Sequence, residues 1–145
     1  MENITRGGQF IVKETLAENI FTPEDFSEEQ KMMRDSVKEF VDRELWPNKI
    51  RFEQKDYAFT EESMRKAGEL GFLGVAVPEE FGGLGMGFVS TMLTCDYISG
   101  ASGSFSTAFG AHTGIGTMPI TLYGNDEQKN KYVPKLASGE WFVGS

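Results

Sequence analysis

His112 and Cys95 are the only side chains in this sequence whose ordinary pKa lies within reach of neutral pH, and neither has the company that chemistry requires. There is no second histidine to share a metal ion, and the spacing nominates no serine–histidine–aspartate set. His112 falls on the same helical face as Phe105 and Phe109, so it reads as a hydrogen-bonded core histidine rather than a general base. Cys95 stands mid-helix beside Asp96 without a cation to lower its pKa, and reads as a small buried hydrophobe. A lone cysteine excludes an internal disulfide, and one histidine with one cysteine argues against a His/Cys metal site.

Gly82-Gly83-Leu84-Gly85-Met86-Gly87 is the next candidate, because glycine-rich loops cradle phosphates. Its spacing fails that test. Phe88 stands where a G-x-G-x-x-G fingerprint needs glycine, and no Gly-Lys-Ser/Thr follows to make a P-loop. The run reads instead as a tight loop that displays Leu84 and Met86.

The third candidate is a surface rather than a group. From Tyr97 to Asn125 there is no Asp, Glu, Lys or Arg, yet the stretch is built from Gly, Ser, Thr and Ala rather than Leu and Ile. A helix over 103 to 115, at about 100° per residue, places Gly103, Thr107, Gly110 and Gly114 on one stripe, with Phe105, Phe109 and His112 nearly opposite. Each glycine inside a helix costs about 1 kcal/mol relative to alanine, so three oppose the helix by about 3 kcal/mol. Something must press on that face to offset the loss. Another helix packing closely would do so, and so would a ligand, since an aliphatic chain needs a slot without charges.

Helices must position these groups. Thr22-Pro23-Glu24-Asp25 predicts a capped helical turn, and Ser27 with Gln30 predicts a capping box ahead of a helix with Met33, Val37, Phe40, Val41 and Leu45 on its apolar stripe. Pro47 ends or kinks that helix, and a second helical stretch follows through Phe52. Thr60 is expected to cap the next, with Met64, Ala67 and Leu70 inward and a stop at Gly71. Phe72 to Val77 is short and apolar, and residues 78 to 87 form a loop. Val89, Met92, Leu93 and Tyr97 mark a further helix, separated from the grooved one by the Gly/Ser run at 99 to 104. Pro119 opens a short helix ending at Gly124; Asn125 with Gln128 caps another, which Pro134 bends and Gly139 closes.

Residues 140 to 145, Glu-Trp-Phe-Val-Gly-Ser, read as the start of a β-strand. A single strand cannot satisfy its own ladder, so a further domain is expected beyond it. The expected organisation is therefore an irregular amino-terminal extension over 1–21, in which Gln9 to Val12 is extended, a helical domain over 22–139, and the start of a truncated β domain at 140–145.

At 145 residues the chain suits one domain with its own core. Its net charge of −8 argues against a nucleic-acid or anionic-membrane surface, which would need clustered Lys and Arg. No segment is long and apolar enough to be a transmembrane span, and the acids near the amino terminus disfavour a transit peptide. A cytoplasmic setting is expected.

Taken together, several motifs carry a resemblance. Gly71-Phe-Leu-Gly-Val-Ala-Val-Pro78-Glu-Glu-Phe-Gly-Gly-Leu-Gly-Met-Gly87, then Gly116-Thr-Met-Pro119-Ile, Tyr123-Gly-Asn-Asp-Glu-Gln-Lys129, Tyr132-Val-Pro134-Lys and Ser138-Gly-Glu140 occur in order. Over about residues 22 to 145 the chain resembles the amino-terminal domain of bacterial acyl-CoA dehydrogenases. The resemblance implies an all-α, orthogonal multi-helix domain that precedes a central β-barrel domain and a carboxy-terminal four-helix domain. It implies FAD as cofactor and an acyl-CoA substrate that loses a proton from Cα and a hydride from Cβ to flavin N5, leaving a trans-2-enoyl-CoA. Electron-transfer flavoprotein is the implied partner, and the full-length enzyme is expected to be a homo-oligomer. The catalytic glutamate and the Thr-Glu-Pro motif that helps hold FAD are expected beyond Ser145, so no catalytic residue is assigned here and this portion alone is expected to be inactive.

Two sites carry over by the same resemblance. Ser106, Thr107 and Gly110 match positions that contact the acyl tail, and Gly-Ala-His at 110 to 112 resembles the very-long-chain branch, implying a deep pocket for a long chain. Counting back from Met118-Pro119 instead places Ala111 at the position of Gly110. Leu84 and Met86 match positions where some relatives dock electron-transfer flavoprotein, against the alternative that both are ordinary loop anchors. Rival readings are an acyl-CoA oxidase or flavin monooxygenase on the same fold, and a stand-alone helical binding module.

Overall fold

Hydrogen-bonded caps set where the helices begin. The computed structural model describes residues 8–143, starting with one turn, α1 (Gln9–Val12), in which the Lys13 N–H donates to the Gln9 carbonyl at 2.9 Å. The expectation of an extended piece there is corrected: an isolated stretch without a strand partner satisfies its backbone better by closing on itself. Thr22 and Asp25 form a reciprocal cap on the turn Pro23–Asp25. Ser27 and Gln30 do the same for α2 (Glu28–Phe40), at 3.2 and 2.9 Å. Both follow the sequence pattern.

Beyond Phe40 the helix loosens into a π-helical turn, Val41–Leu45, then tightens through Trp46–Asn48 around Pro47 before α3 (Lys49–Glu53). Pro47 thus changes the winding without breaking the path. The helix α4 (Tyr57–Glu69) is capped by Asp56, whose carboxylate accepts the Phe59 N–H at 3.0 Å. Thr60, expected as the cap, lies inside the first turn and donates its hydroxyl to the Asp56 carbonyl. Arg51 also holds the Asp56 carboxylate, at 2.7 Å, in the position from which it caps the helix. Met64 and Ala67 point inward as expected, but Leu70 is 54% exposed. Gly71, at φ +81°, makes the left-handed turn that stops the helix.

The second half is one nearly continuous helical path. α5 (Phe88–Ala101) runs through Gly100 and breaks only at Ser102, whose extended backbone and side chain cap α6 (Gly103–Gly110). The expected break over 99 to 104 shrinks to that one residue. A second π-helical stretch, Ala111–Thr117, leads into α7 (Met118–Tyr123), and Asn125 with Gln128 caps α8 (Asp126–Ala137). Residues 140–143 form no strand among the described residues; Trp141 donates its N–H to the Lys135 carbonyl instead, and 144 and 145 lie outside the described residues.

The core lies between α2, α4, α5 and α6. Phe59, Phe52, Phe105 and Phe109 form a run of tilted ring contacts with centroids 5.1, 5.3 and 6.5 Å apart. All four rings are buried. At about 1.5–3 kcal/mol for each large side chain removed from water, this run fixes which face of α6 turns inward. The opposite face is consequently turned away from the core.

Candidate functional site

That opposite face carries the glycines. Gly103, Thr107, Gly110 and Gly114 are exposed, and a Cβ built on any of the three glycines would meet nothing within 4 Å. No described helix packs against the stripe, so the described residues do not supply the partner that the helix propensity calls for. Thr107 closes its hydroxyl onto the Gly103 carbonyl at 2.9 Å. Ser106 is half-buried and shares a 2.9 Å hydroxyl–hydroxyl bond with Ser99 across the α5–α6 corner. Gly110 and Gly114 reach further, onto the rim of a cavity.

The cavity has a volume of about 460 Å³ and lies between α5, the Phe72–Val77 segment and the Phe109–Met118 side of the helical path. A volume of this size falls within the ordinary range for small-molecule pockets, about 300–1,000 Å³. No charged side chain lines it. Its threonines do not make it polar either, because each hydroxyl turns back to its own helix: Thr91 to the Gly87 carbonyl at 3.4 Å, Thr94 to Ser90 at 2.9 Å, and Thr113 to Phe109 at 2.8 Å. Their methyl groups are what remains for the walls. Cys95 is also in the wall, half-buried rather than fully buried as expected, and burial pushes its thiol pKa up, away from the reactive thiolate. The arrangement suits an uncharged aliphatic group and supplies no acid, base or nucleophile.

Of the predicted tail-contacting residues, the structure therefore puts Gly110 at the cavity and leaves Ser106 and Thr107 on the same helix one turn away. Phe88, Met92 and Cys95 join the site although no motif marks them. A signal for them exists: α5 carries one charge, Asp96, and no polar face, which is the pattern of a helix meant to be covered on every side. Phe88 is nonetheless 76% exposed.

His112 is 1% exposed on the buried side of the same path, with both ring nitrogens engaged. Nε2 lies 2.9 Å from the Leu136 carbonyl, and Nδ1 accepts the Val143 N–H at 3.2 Å. The ring therefore carries its proton on Nε2, and burial lowers its pKa, keeping it neutral. This is the satisfied core histidine that the sequence suggests.

Leu84 and Met86 sit on a second feature. Three bonds tie their loop down: Leu84 N–H to Gly74 O, Met86 N–H to Val75 O and Gly85 N–H to Val77 O, at 2.9, 2.9 and 2.8 Å. Both side chains line a shallow cleft of about 270 Å³ with Met32, Met33 and Leu70. Leu84 at 38% and Met32 at 71% exposure give the cleft an accessible apolar lip.

No described group of His, Cys, Asp and Glu could hold a metal ion, and no described helix is long and apolar enough to cross a membrane. The model of the family described as acyl-CoA dehydrogenase, N-terminal domain, matches residues 27–140. This chain belongs to that family. Among relatives of the acyl-CoA dehydrogenase domain here, a probable acyl-CoA dehydrogenase of Bacillus subtilis is 41% identical over 95% of the chain and 23% of the relative. A Bacillus anthracis acyl-CoA dehydrogenase complexed with FAD superposes with a TM-score of 0.85 at 45% identity, over 94% of this chain and 23% of that one. A chain from a structure described as the electron transferring flavoprotein of Acidaminococcus fermentans matches with a TM-score of 0.74 at 30% identity, over 83% of this chain and 32% of that one. The acyl-CoA dehydrogenase domain thus spans about a quarter to a third of the chains it matches.

The 460 Å³ cavity has no charged side chain in its lining, and no described buried side-chain polar atom is left unpaired, so that cavity offers no side-chain donor suited to the pyrophosphate of FAD.

Proposed function

We propose that this domain supplies one wall of the acyl-chain pocket of an FAD-dependent acyl-CoA dehydrogenase, and that the chain it accepts is long. The observation that carries this reading is the open, uncharged Gly110–Gly114 face on the rim of the 460 Å³ apolar cavity. An acyl tail would bury its methylenes there at about 0.8 kcal/mol each, and the absence of side chains on the stripe leaves depth for more of them. The flavin, the proton-abstracting base and the electron transfer belong, in this reading, to segments outside these residues.

Gly110→Glu in the full-length enzyme tests the pocket. A carboxylate projecting into a dry slot should cut activity on long acyl-CoAs at least tenfold while sparing medium chains, because each buried charge without a partner costs several kcal/mol. An unchanged long-to-medium activity ratio would refute the proposal.

The cleft around Leu84, Met86, Met32 and Leu70 is the docking surface we assign to electron-transfer flavoprotein. An apolar lip of Leu84, Met32 and Leu70, with Glu29 as the one carboxylate in the lining, suits a partner that inserts one aliphatic side chain. Leu84→Asp is expected to slow electron transfer to that partner about tenfold or more without altering reduction of the bound flavin by substrate. Equal loss of both rates would point to damaged folding rather than lost docking.

A further inference from the structure

We propose that His112 is a pH-sensitive fastener that holds residues 141–143, the segment leaving the helical bundle, against the helical path carrying the cavity wall. This role is independent of the acyl-chain reading. Its basis is the polarity of the two bonds on one imidazole: Nδ1 must lack a proton to accept the Val143 N–H, while Nε2 must carry one to face the Leu136 carbonyl. Only the neutral ring satisfies both. Protonation would set an N–H against the Val143 N–H, and the segment is what can move, since Leu136 belongs to α8 and is buried.

The packing around the ring sharpens the coupling. Phe142 meets His112 edge-on with centroids 5.7 Å apart, and Val143 covers Gly116, where a Cβ would approach the valine to 2.6 Å. His112 lies between Gly110 and Gly114, both on the cavity rim. Release of 141–143 therefore removes support from the back of the wall whose front faces the cavity.

No charge near the ring competes for the role. From α4, Arg65 stands over Phe142 at 5.5 Å and pairs with Glu61 at 2.8 Å. From α8, Lys135 pairs with Glu140 at 2.8 Å; Asp126, Glu127, Lys129 and Lys131 lie toward the other end of that helix. The Phe72–Gly74 turn, α6 and the π-helical stretch itself carry no charged side chain, and α7 contributes only Tyr123, which is exposed. Burial disfavours the charged ring, so its closed-state pKa lies below the ordinary 6.5. A group with a depressed pKa in the closed state keeps the fastener shut above about pH 6.5 and loosens it as pH falls, by up to about tenfold per unit.

The chain holds one histidine, so a ¹⁵N-edited imidazole spectrum reports this ring alone. The expected result is the Nε2–H tautomer at pH 7.5, titration below 6.5, and a Val143 amide protection factor that falls over the same interval while the far-ultraviolet helix signal holds. An Nδ1–H tautomer, titration near 6.5 like a free imidazole, constant Val143 protection, or loss of protection only together with the helix signal would each overturn it. His112→Phe keeps the bulk and removes both bonds; Val143 should then be unprotected at every pH. If that variant does not fold, the titration of the unaltered chain still decides.

Discussion

The glycines of this domain fall into two groups that look alike in sequence and differ in what surrounds them. A Cβ on Gly68 would strike the Ser138 backbone, one on Gly83 the Val77 carbonyl and one on Gly116 the Val143 side chain. Gly103, Gly110 and Gly114 have nothing within 4 Å of the same added atom. The first group is explained by contacts within the chain. The second is not, and a helical path that forgoes about 2 kcal/mol of propensity at Gly110 and Gly114 without a partner among the described residues directs attention to something from outside it. The two groups therefore separate what glycine does for folding from what it does for a ligand.

Gly83→Ala is the largest effect expected from the comparison. The added carbon cannot be accommodated without moving the Val77 carbonyl, which also accepts the Gly85 N–H, so the loop carrying Leu84 would have to shift. Overpacking of this kind costs about 1–3 kcal/mol, and thermal unfolding should drop by about 3–10 °C. An unchanged melting temperature would mean that the loop yields more easily than its three backbone bonds suggest. In that case the contrast between the two groups would lose its first half.

Much of this organisation is legible in the amino-acid sequence. The Ser27/Gln30 and Asn125/Gln128 boxes mark helix starts because a cap is a local event, settled by residues three positions apart. Phe105, Phe109 and His112 fall on one face because the 3.6-residue period holds from 103 to 110 and His112 follows only two residues later. The π-helical stretches at 41–45 and 111–117 are not legible, since a widened turn has no residue signature and is set by what packs around it. The cavity is out of reach for another reason: its walls come from three segments, and their threonines are apolar only because their hydroxyls bond backward along their own helices.

Gly110→Ala gives the smallest effect and the one with the clearest sign. Nothing opposes the new methyl group, and alanine restricts the unfolded chain while favouring the helix, so the domain should gain about 0.5–1 kcal/mol and melt about 2–4 °C higher. Stabilisation is the outcome that matters, because it shows that glycine at this position is not required by the fold of the chain. The same methyl projects onto the rim of the cavity, where it would narrow the slot by one carbon. If the substituted domain is more stable and the full-length enzyme carrying it accepts long acyl chains less well, stability and pocket depth are in opposition at Gly110. A melting temperature that falls instead would mean that an unrecognised contact within the domain requires glycine there, and the open stripe would rejoin the first group.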